Sequence, residues 1–259
     1  MPLTQTKVVN FTVKWLENHG WEIIFAHYPE GHHVSPKYGE LIPNKVERPY
    51  ERYKGAIVLK PKPGIHENIA VLDFSSMYPN IMIKMNISPD TYVPPGTKVN
   101  PDEVNIAPEV NHRFRKEPPG FYKKVLQRLL KARNSMRKEM KKIDPRSPQY
   151  RILNERQRAL KVIANATYGY CGWIGARWYK REVAEATTAW GRKLIKEAIK
   201  IARELGLEVI YGDTDSLFIR YNPEKVKKFM HIVEDRLAVS YTHLRAHETE
   251  ADLVCRLLL

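Results

Sequence analysis

Asp213 and Asp215 stand one residue apart in the run Val209-Ile210-Tyr211-Gly212-Asp213-Thr214-Asp215-Ser216-Leu217-Phe218-Ile219. Two β-rich apolar segments flank a short polar turn, so the run predicts a hairpin with two carboxylates at its tip. Carboxylates that close repel, and solvent or a cation must neutralise them. Hard oxygen ligands at this spacing suit Mg²⁺, which keeps several waters and shares itself with phosphates. A third acid, Asp73, ends the apolar run Ile69-Ala70-Val71-Leu72, which reads as a buried strand with one carboxylate at its exit. Three acids at the ends of two strands could gather around one or two divalent ions. Each also has a plainer local reading, because Gly and Asp favour turns and a strand-end Asp often caps a helix.

Cations stand between these acids in the chain. Residues 116–161 carry 15 Lys and Arg against 4 acids, a net +11 out of +14 for all 259 residues. After Pro118-Pro119-Gly120 a helix is predicted from Phe121, with Val125, Leu129, Met136 and Met140 on one side and Lys124, Arg128, Arg133 and Arg137 on the other. Asp144-Pro145-Arg146-Ser147-Pro148 stops it. Ser147 and Pro148 then form an N-cap and first-turn pair for a second helix reaching about Tyr168. Two helices of about 22 residues, each ~33 Å long, joined by a tight turn make an antiparallel hairpin. Arg133 and Arg137 lie four apart on one helix, and Lys161, Asn165 and Tyr168 follow one face of the other, so one polyanion could meet three cations at once. An exposed basic helix face is the plainer alternative.

Other elements must carry these groups. Ala56-Ile57-Val58-Leu59 reads as a strand and residues 80–84 as a short helix. Prolines at 89, 94, 95, 101 and 108 favour a loop or edge-strand excursion over residues 99–110. Gly169, Gly172 and Gly175 break the helical pattern among Tyr168, Tyr170, Trp173, Trp178 and Tyr179, a cluster read mainly as core. Residues 182–205 form an amphipathic helix through Ala186, Trp190, Leu194, Ala198 and Ile201, ended by Gly206. Asn222-Pro223 starts a further helix. Towards the N-terminus, a helix over residues 8–18 and a strand over 21–26 are predicted. His32-His33, and His243 with His247, lack the partners of a zinc site.

Asp73-Phe74-Ser75-Ser76-Met77-Tyr78-Pro79, Lys161-Val162-Ile163-Ala164-Asn165-Ala166-Thr167-Tyr168-Gly169 and Tyr211-Gly212-Asp213-Thr214-Asp215-Ser216 resemble, in this order, the three polymerase motifs of family B DNA polymerases, archaeal branch. The resemblance covers roughly residues 39–237. It implies an α+β fold: a polymerase palm, an antiparallel sheet with helices, interrupted by a two-helix fingers hairpin. Residues 39–116 would be the first palm part, 117–175 the fingers and 176–237 the second palm part. Residues 1–38 remain an unassigned remnant and 238–259 a tail foreign to the family. The implied reaction is attack of a primer 3′-hydroxyl on the α-phosphate of a dNTP, with pyrophosphate released. Asp73, Asp213 and Asp215 would be catalytic, and Asp73, Phe74, Asp213 and Asp215 the metal-binding set for two Mg²⁺ ions about 3.5 to 4 Å apart. The implied nucleotide contacts are Ser76, Met77, Tyr78, Arg133, Arg137, Lys161, Asn165 and Tyr168, with Tyr78 excluding a ribose 2′-hydroxyl. Gly169, Tyr211, Gly212 and Thr214 would touch DNA. Met77 stands where the family usually has Leu.

Bulk composition agrees with a polyanionic partner: the net charge is +14 and the pI near 9.6. Primer-template DNA and dNTPs are the implied partners, with a sliding clamp reached through regions outside this chain and no membrane. The absence of a long apolar stretch and of an apolar N-terminal core leads to a cytoplasmic, nucleoid-associated location. Cys171 and Cys255 form no metal or disulfide framework. Residues 1–38 are too short for the family's N-terminal and proofreading domains and contain no Asp-x-Glu exonuclease signature, so a truncated core is expected. Two other readings stay open. One is an inactive nucleic-acid- and nucleotide-binding fragment lacking thumb and exonuclease. The other is an RNA polymerase or reverse transcriptase, although adjacent Asp-Asp is expected in the latter and Asp213-Thr214-Asp215 is not that.

Overall fold

The structure, a computed structural model, describes residues 52–237 and the backbone of 241–247. The elements expected over residues 8–18 and 21–26, and the tail beyond residue 247, lie outside the described residues.

A four-stranded antiparallel sheet forms the floor, in the order β5-β6-β1-β7. Its strands are β1 (Ile69–Phe74), β5 (Val209–Asp213), β6 (Ser216–Arg220) and β7 (Tyr241–His247). β1 pairs along its length with β6 on one side, from Ile69 opposite Arg220 to Asp73 opposite Ser216, and with β7 on the other. Flanked on both edges, the apolar run of β1 buries Ala70, Leu72 and Phe74 completely, while Val71 and Asp73 stay half-buried on the other face. The segment expected as a strand at 56–59 makes only a bridge, Val58 to Asp213, with Leu59 N donating to Gly212 O. Pro61 and Pro63 follow directly and cannot donate to a ladder.

Helices cover one face. α1 (Met77–Lys84) follows β1, three residues ahead of the predicted start. A small sheet, order β2-β4-β3, then projects: β2 (Tyr92–Val93), β3 (Val104–Ile106) and β4 (Arg113–Arg115). Its edge strand β3 is the excursion expected among the prolines. α2 (Phe121–Met140) and α3 (Pro148–Gly172) form the antiparallel hairpin, and α4 (Arg181–Glu204) and α5 (Pro223–Leu237) complete the layer. Leu72, Leu217 and Ile219 of the sheet share one core with Ile195, Ala198 and Ala202 of α4 and with Phe229 and Val233 of α5. Each fully buried Leu, Ile, Val or Phe among them contributes about 1.5–3 kcal/mol. α4 is amphipathic only in its second half, because residues 183–192 pass between other elements and are buried on nearly every side. It ends where Gly206, at φ 64°, donates to Arg203 O while Leu207 N reaches Ala202 O.

The root of the hairpin is built from a distant turn. The first backbone amides of a helix have no internal acceptor, and here Asn86 Oδ1 accepts from Gly120 N, Asp90 from Phe121 N and Ser88 Oγ from Tyr122 N. Asn86 Nδ2 meanwhile donates to the carbonyls of Arg115 and Pro118. A Cβ on Gly120 would lie 2.8 Å from Ser88 Cβ and from Thr91 Cγ2, so only glycine fits. At the far end Ser147 accepts from Tyr150 N, as the cap reading requires. α3 continues past Tyr168 and through Gly169, because Cys171, fully buried, anchors the last turn in the core and outweighs glycine's helix penalty of about 1 kcal/mol.

Candidate active site

Cross-strand register brings the acids together. Asp73 of β1 and Asp213 of β5 are both partners of Ser216, so the three form one row across three strands, with side chains on a common face. Strands lie ~4.8 Å apart, which puts Asp73 and Asp213 ~10 Å from each other. Asp215, at the hairpin tip, feels the charge of both, that of Asp73 more strongly. Phe74 N donates to Asp215 O at 2.8 Å, tying the end of β1 to that tip. Thr214 holds a left-handed φ of 47° while its amide reaches Ile57 O and its hydroxyl donates to Asp213 Oδ1 at 2.8 Å. Ser76, beside Asp73 in sequence, is also left-handed at φ 46°. Non-glycine residues hold such backbone only where the surroundings impose it.

Asp215 is half-buried, and burial first, then the charge of Asp73, pushes its carboxyl up to about 6. Asp213 adds to that shift and Lys161 opposes it. The two distant segments therefore converge, and Lys161 of α3 lies within electrostatic reach. Convergence stops short of a cage: among the described residues no three His, Cys, Asp or Glu side chains group closely enough to hold a metal ion by themselves. The crowded pair is Asp73 with Asp215. Two repelling, partly desolvated carboxylates are a donor set that a divalent cation fits, the remaining ligands being water or substrate oxygens.

Around the acids, Met77, 2% exposed, lies at the start of α1. Tyr78 lies with its ring 4.4 Å from that of Tyr168, and burial, then Tyr168 and Asp215, raise its phenol well above the ordinary range. On the hairpin, Arg133 and Arg137 are half-buried, so the basic side predicted for α2 divides: Lys124 and Arg128 are exposed, whereas Arg133 Nε crosses to Gln157 of α3. Burial and the neighbouring Arg137 both disfavour the Arg133 charge, a tension that an anion would relieve. Lys161, Asn165 and Gly169 are exposed and Tyr168 is half-buried. Gly212 is buried where a Cβ would press on Leu217 Cδ2 at 2.9 Å, and Tyr211 packs on Phe218. The aromatic cluster after α3 is mixed: Tyr179 is core, while Trp173 is 61% exposed.

A family model for DNA polymerase family B matches residues 22–252. The chain belongs to that family. The match reaches beyond the motif-bearing stretch at both ends. DNA polymerase 2 of Aeropyrum pernix is 60% identical over 219 residues, 83% of this chain and 27% of the relative. The DNA polymerase of Archaeoglobus fulgidus is 51% identical over 183 residues, 71% of this chain and 22% of the relative. The solved family B DNA polymerase of Pyrobaculum calidifontis shares 55% identity at a TM-score of 0.67, over 80% of this chain and 27% of that one. The family B chain thus spans about a quarter of the length of the relatives it matches.

Two features of this family B chain escape a motif reading. Arg192, side chain 1% exposed, donates from Nη1 to Lys54 O and Gly55 O at 2.7 Å and from Nε to Glu109 Oε2 at 2.9 Å. Gly191 touches the Tyr78 ring. A Gly-Arg pair inside an otherwise apolar helix pattern was the available signal, since both residue types need a reason to be buried there.

Proposed function

We propose that this chain carries the nucleotidyl-transfer centre of a DNA-directed DNA polymerase, with residues 39–116 and 176–237 as palm and 117–175 as fingers. The observation that supports the reading most is the convergence of Asp73 and Asp215 in a half-buried site that also feels Lys161. Asp73 and Asp215, with the Phe74 carbonyl, would hold two Mg²⁺, and Asp213 would support them from beside that set. Bound there, the ions supply charge neutralisation on the triphosphate and favour ionisation of the primer 3′-hydroxyl.

The chain's own residues do the positioning. Backbone amides of Ser76 and Met77, opening α1, point positive dipole ends at the β- and γ-phosphates. Arg133, Arg137 and Lys161 meet the same phosphates from the fingers, and Asn165 and Tyr168 continue along α3 beside base and sugar. Tyr78 lies under the sugar and its ring excludes a 2′-hydroxyl, so dNTPs are selected. Gly169, Tyr211, Gly212 and Thr214 face the primer-template duplex, whose phosphates the net charge of +14 attracts. Contact with a sliding clamp would involve regions outside this chain, and the reading implies a location at the nucleoid. No described helix is long and apolar enough to cross a membrane.

Primer extension with Mg²⁺ tests the reading. Asp73→Ala and Asp215→Ala are each expected to abolish extension by the full-length protein while leaving DNA binding nearly intact. Undiminished extension in either variant would remove the assignment, and DNA binding without extension by the unsubstituted protein would leave a binding module.

A further inference from the structure

Gly191 lies in the buried half of α4, within a 24-residue helix where glycine costs about 1 kcal/mol relative to alanine. The local geometry explains the choice. A Cβ built on Gly191 would stand 2.9 Å from Tyr78 Cε1, 3.6 Å from Tyr78 Cδ1 and 3.2 Å from Met77 Cε. The same Tyr78 ring lies 4.4 Å from the Tyr168 ring of α3. It is therefore lodged between two helices, and its depth is set by how closely the bare backbone of α4 lets it approach.

We infer that Gly191 is a positioning residue for sugar discrimination, its missing side chain letting the Tyr78 ring sit back far enough for a deoxyribose and no further. The inference rests on the reading of Tyr78 as the residue under the sugar. Adding one methyl group at position 191 displaces the ring away from α4, towards Tyr168 and the gap where the sugar would lie. The atoms that must give way belong to the side chains of Tyr78 and Met77 and not to backbone, and alanine is the better helix former.

The test is a double-mutant cycle in the full-length protein, with kcat and KM measured for one dNTP and its matching rNTP. Gly191→Ala is expected to raise KM for the dNTP about tenfold, the size of one overpacked contact, with kcat little changed and rNTP use falling at least as far. Its melting temperature should stay within a few degrees of the parent's, because alanine's better helix propensity offsets part of the overpacking. Tyr78→Ala alone is expected to increase relative rNTP use, and adding Gly191→Ala to it should then change neither KM nor the sugar ratio. An unchanged KM in Gly191→Ala, or the same loss with and without the Tyr78 ring, overturns the inference. An unchanged sugar ratio in Tyr78→Ala alone removes the gate itself and is recognisable without any change at Gly191.

Discussion

Arg192 Nη2 lies 2.8 Å from Glu109 Oε2, a close ion pair off the hydrogen-bond axis, beside the better-aligned bond from Nε. Lys196 also donates to Glu109 at 2.8 Å, and together Lys196 and Arg192 hold the Glu109 carboxyl down to about 2. The contact joins α4, which carries Gly191, to the loop after β3 and to the segment entering the site at Lys54 and Gly55.

This network predicts a pH dependence. A carboxylate whose pKa is depressed by folding stabilises the native state above its unfolded value, and the contribution is lost as pH falls through the folded one. The stability difference between the parent and Glu109→Gln should therefore be constant near neutrality and shrink between about pH 4.5 and about pH 2. At neutral pH the substitution should cost about 1–3 kcal/mol, between an exposed and a buried pair, because Arg192 is buried while Glu109 is 31% exposed. Denaturant titrations at several pH values check this, and a difference that stays flat down to pH 2 would remove Glu109 as the partner that matters to Arg192.

The unequal placement of the two hairpin aspartates predicts unequal losses. Asp215 is bonded through its carbonyl to Phe74 N and feels the charge of Asp73 more than that of Asp213, whereas Asp213 stands across Ser216 from Asp73. Asp213→Ala should retain measurable extension, reduced about 10- to 100-fold as for a group supporting a metal from outside its ligand set, while Asp215→Ala retains none. Equal loss in both, measured by single-nucleotide incorporation, would put Asp213 among the ligands.

Gly120 predicts a mechanical failure. With Ser88 Cβ and Thr91 Cγ2 in the way, Gly120→Ala forces the root of α2 off the turn that caps it. A stability loss of about 2–4 kcal/mol is expected from the overpacking and the uncapped amides. Hydrogen exchange should show faster exchange at Phe121 and Tyr122 than in the parent, and unchanged protection there would contradict the proposed root.

Much of the architecture was legible because its causes are local. The hairpin at 209–220, the caps at Ser147 and Gly206, and the three amphipathic helices follow from turn chemistry, capping and periodicity within a dozen residues. The errors were also local signals overruled from afar. Gly169 read as a break, yet burial of Cys171 carried α3 through it to Gly172, where the helix ends. The run at 56–59 read as a strand, yet the hairpin edge offered it only a bridge.

From its own residue order the chain determined which groups are present and on which element each rides: three aspartates at strand ends, and Arg133, Arg137 and Lys161 on two helices. Only the tertiary structure decided how they meet. Register through Ser216 put Asp73 and Asp213 in one row, the bond from Phe74 N to Asp215 O brought Asp215 to the end of β1, and the approach of α4 made Gly191 a neighbour of Tyr78. Spacing along a chain specifies a face or a turn, whereas distances between elements far apart in sequence depend on strand register and side-chain packing, which no local pattern encodes.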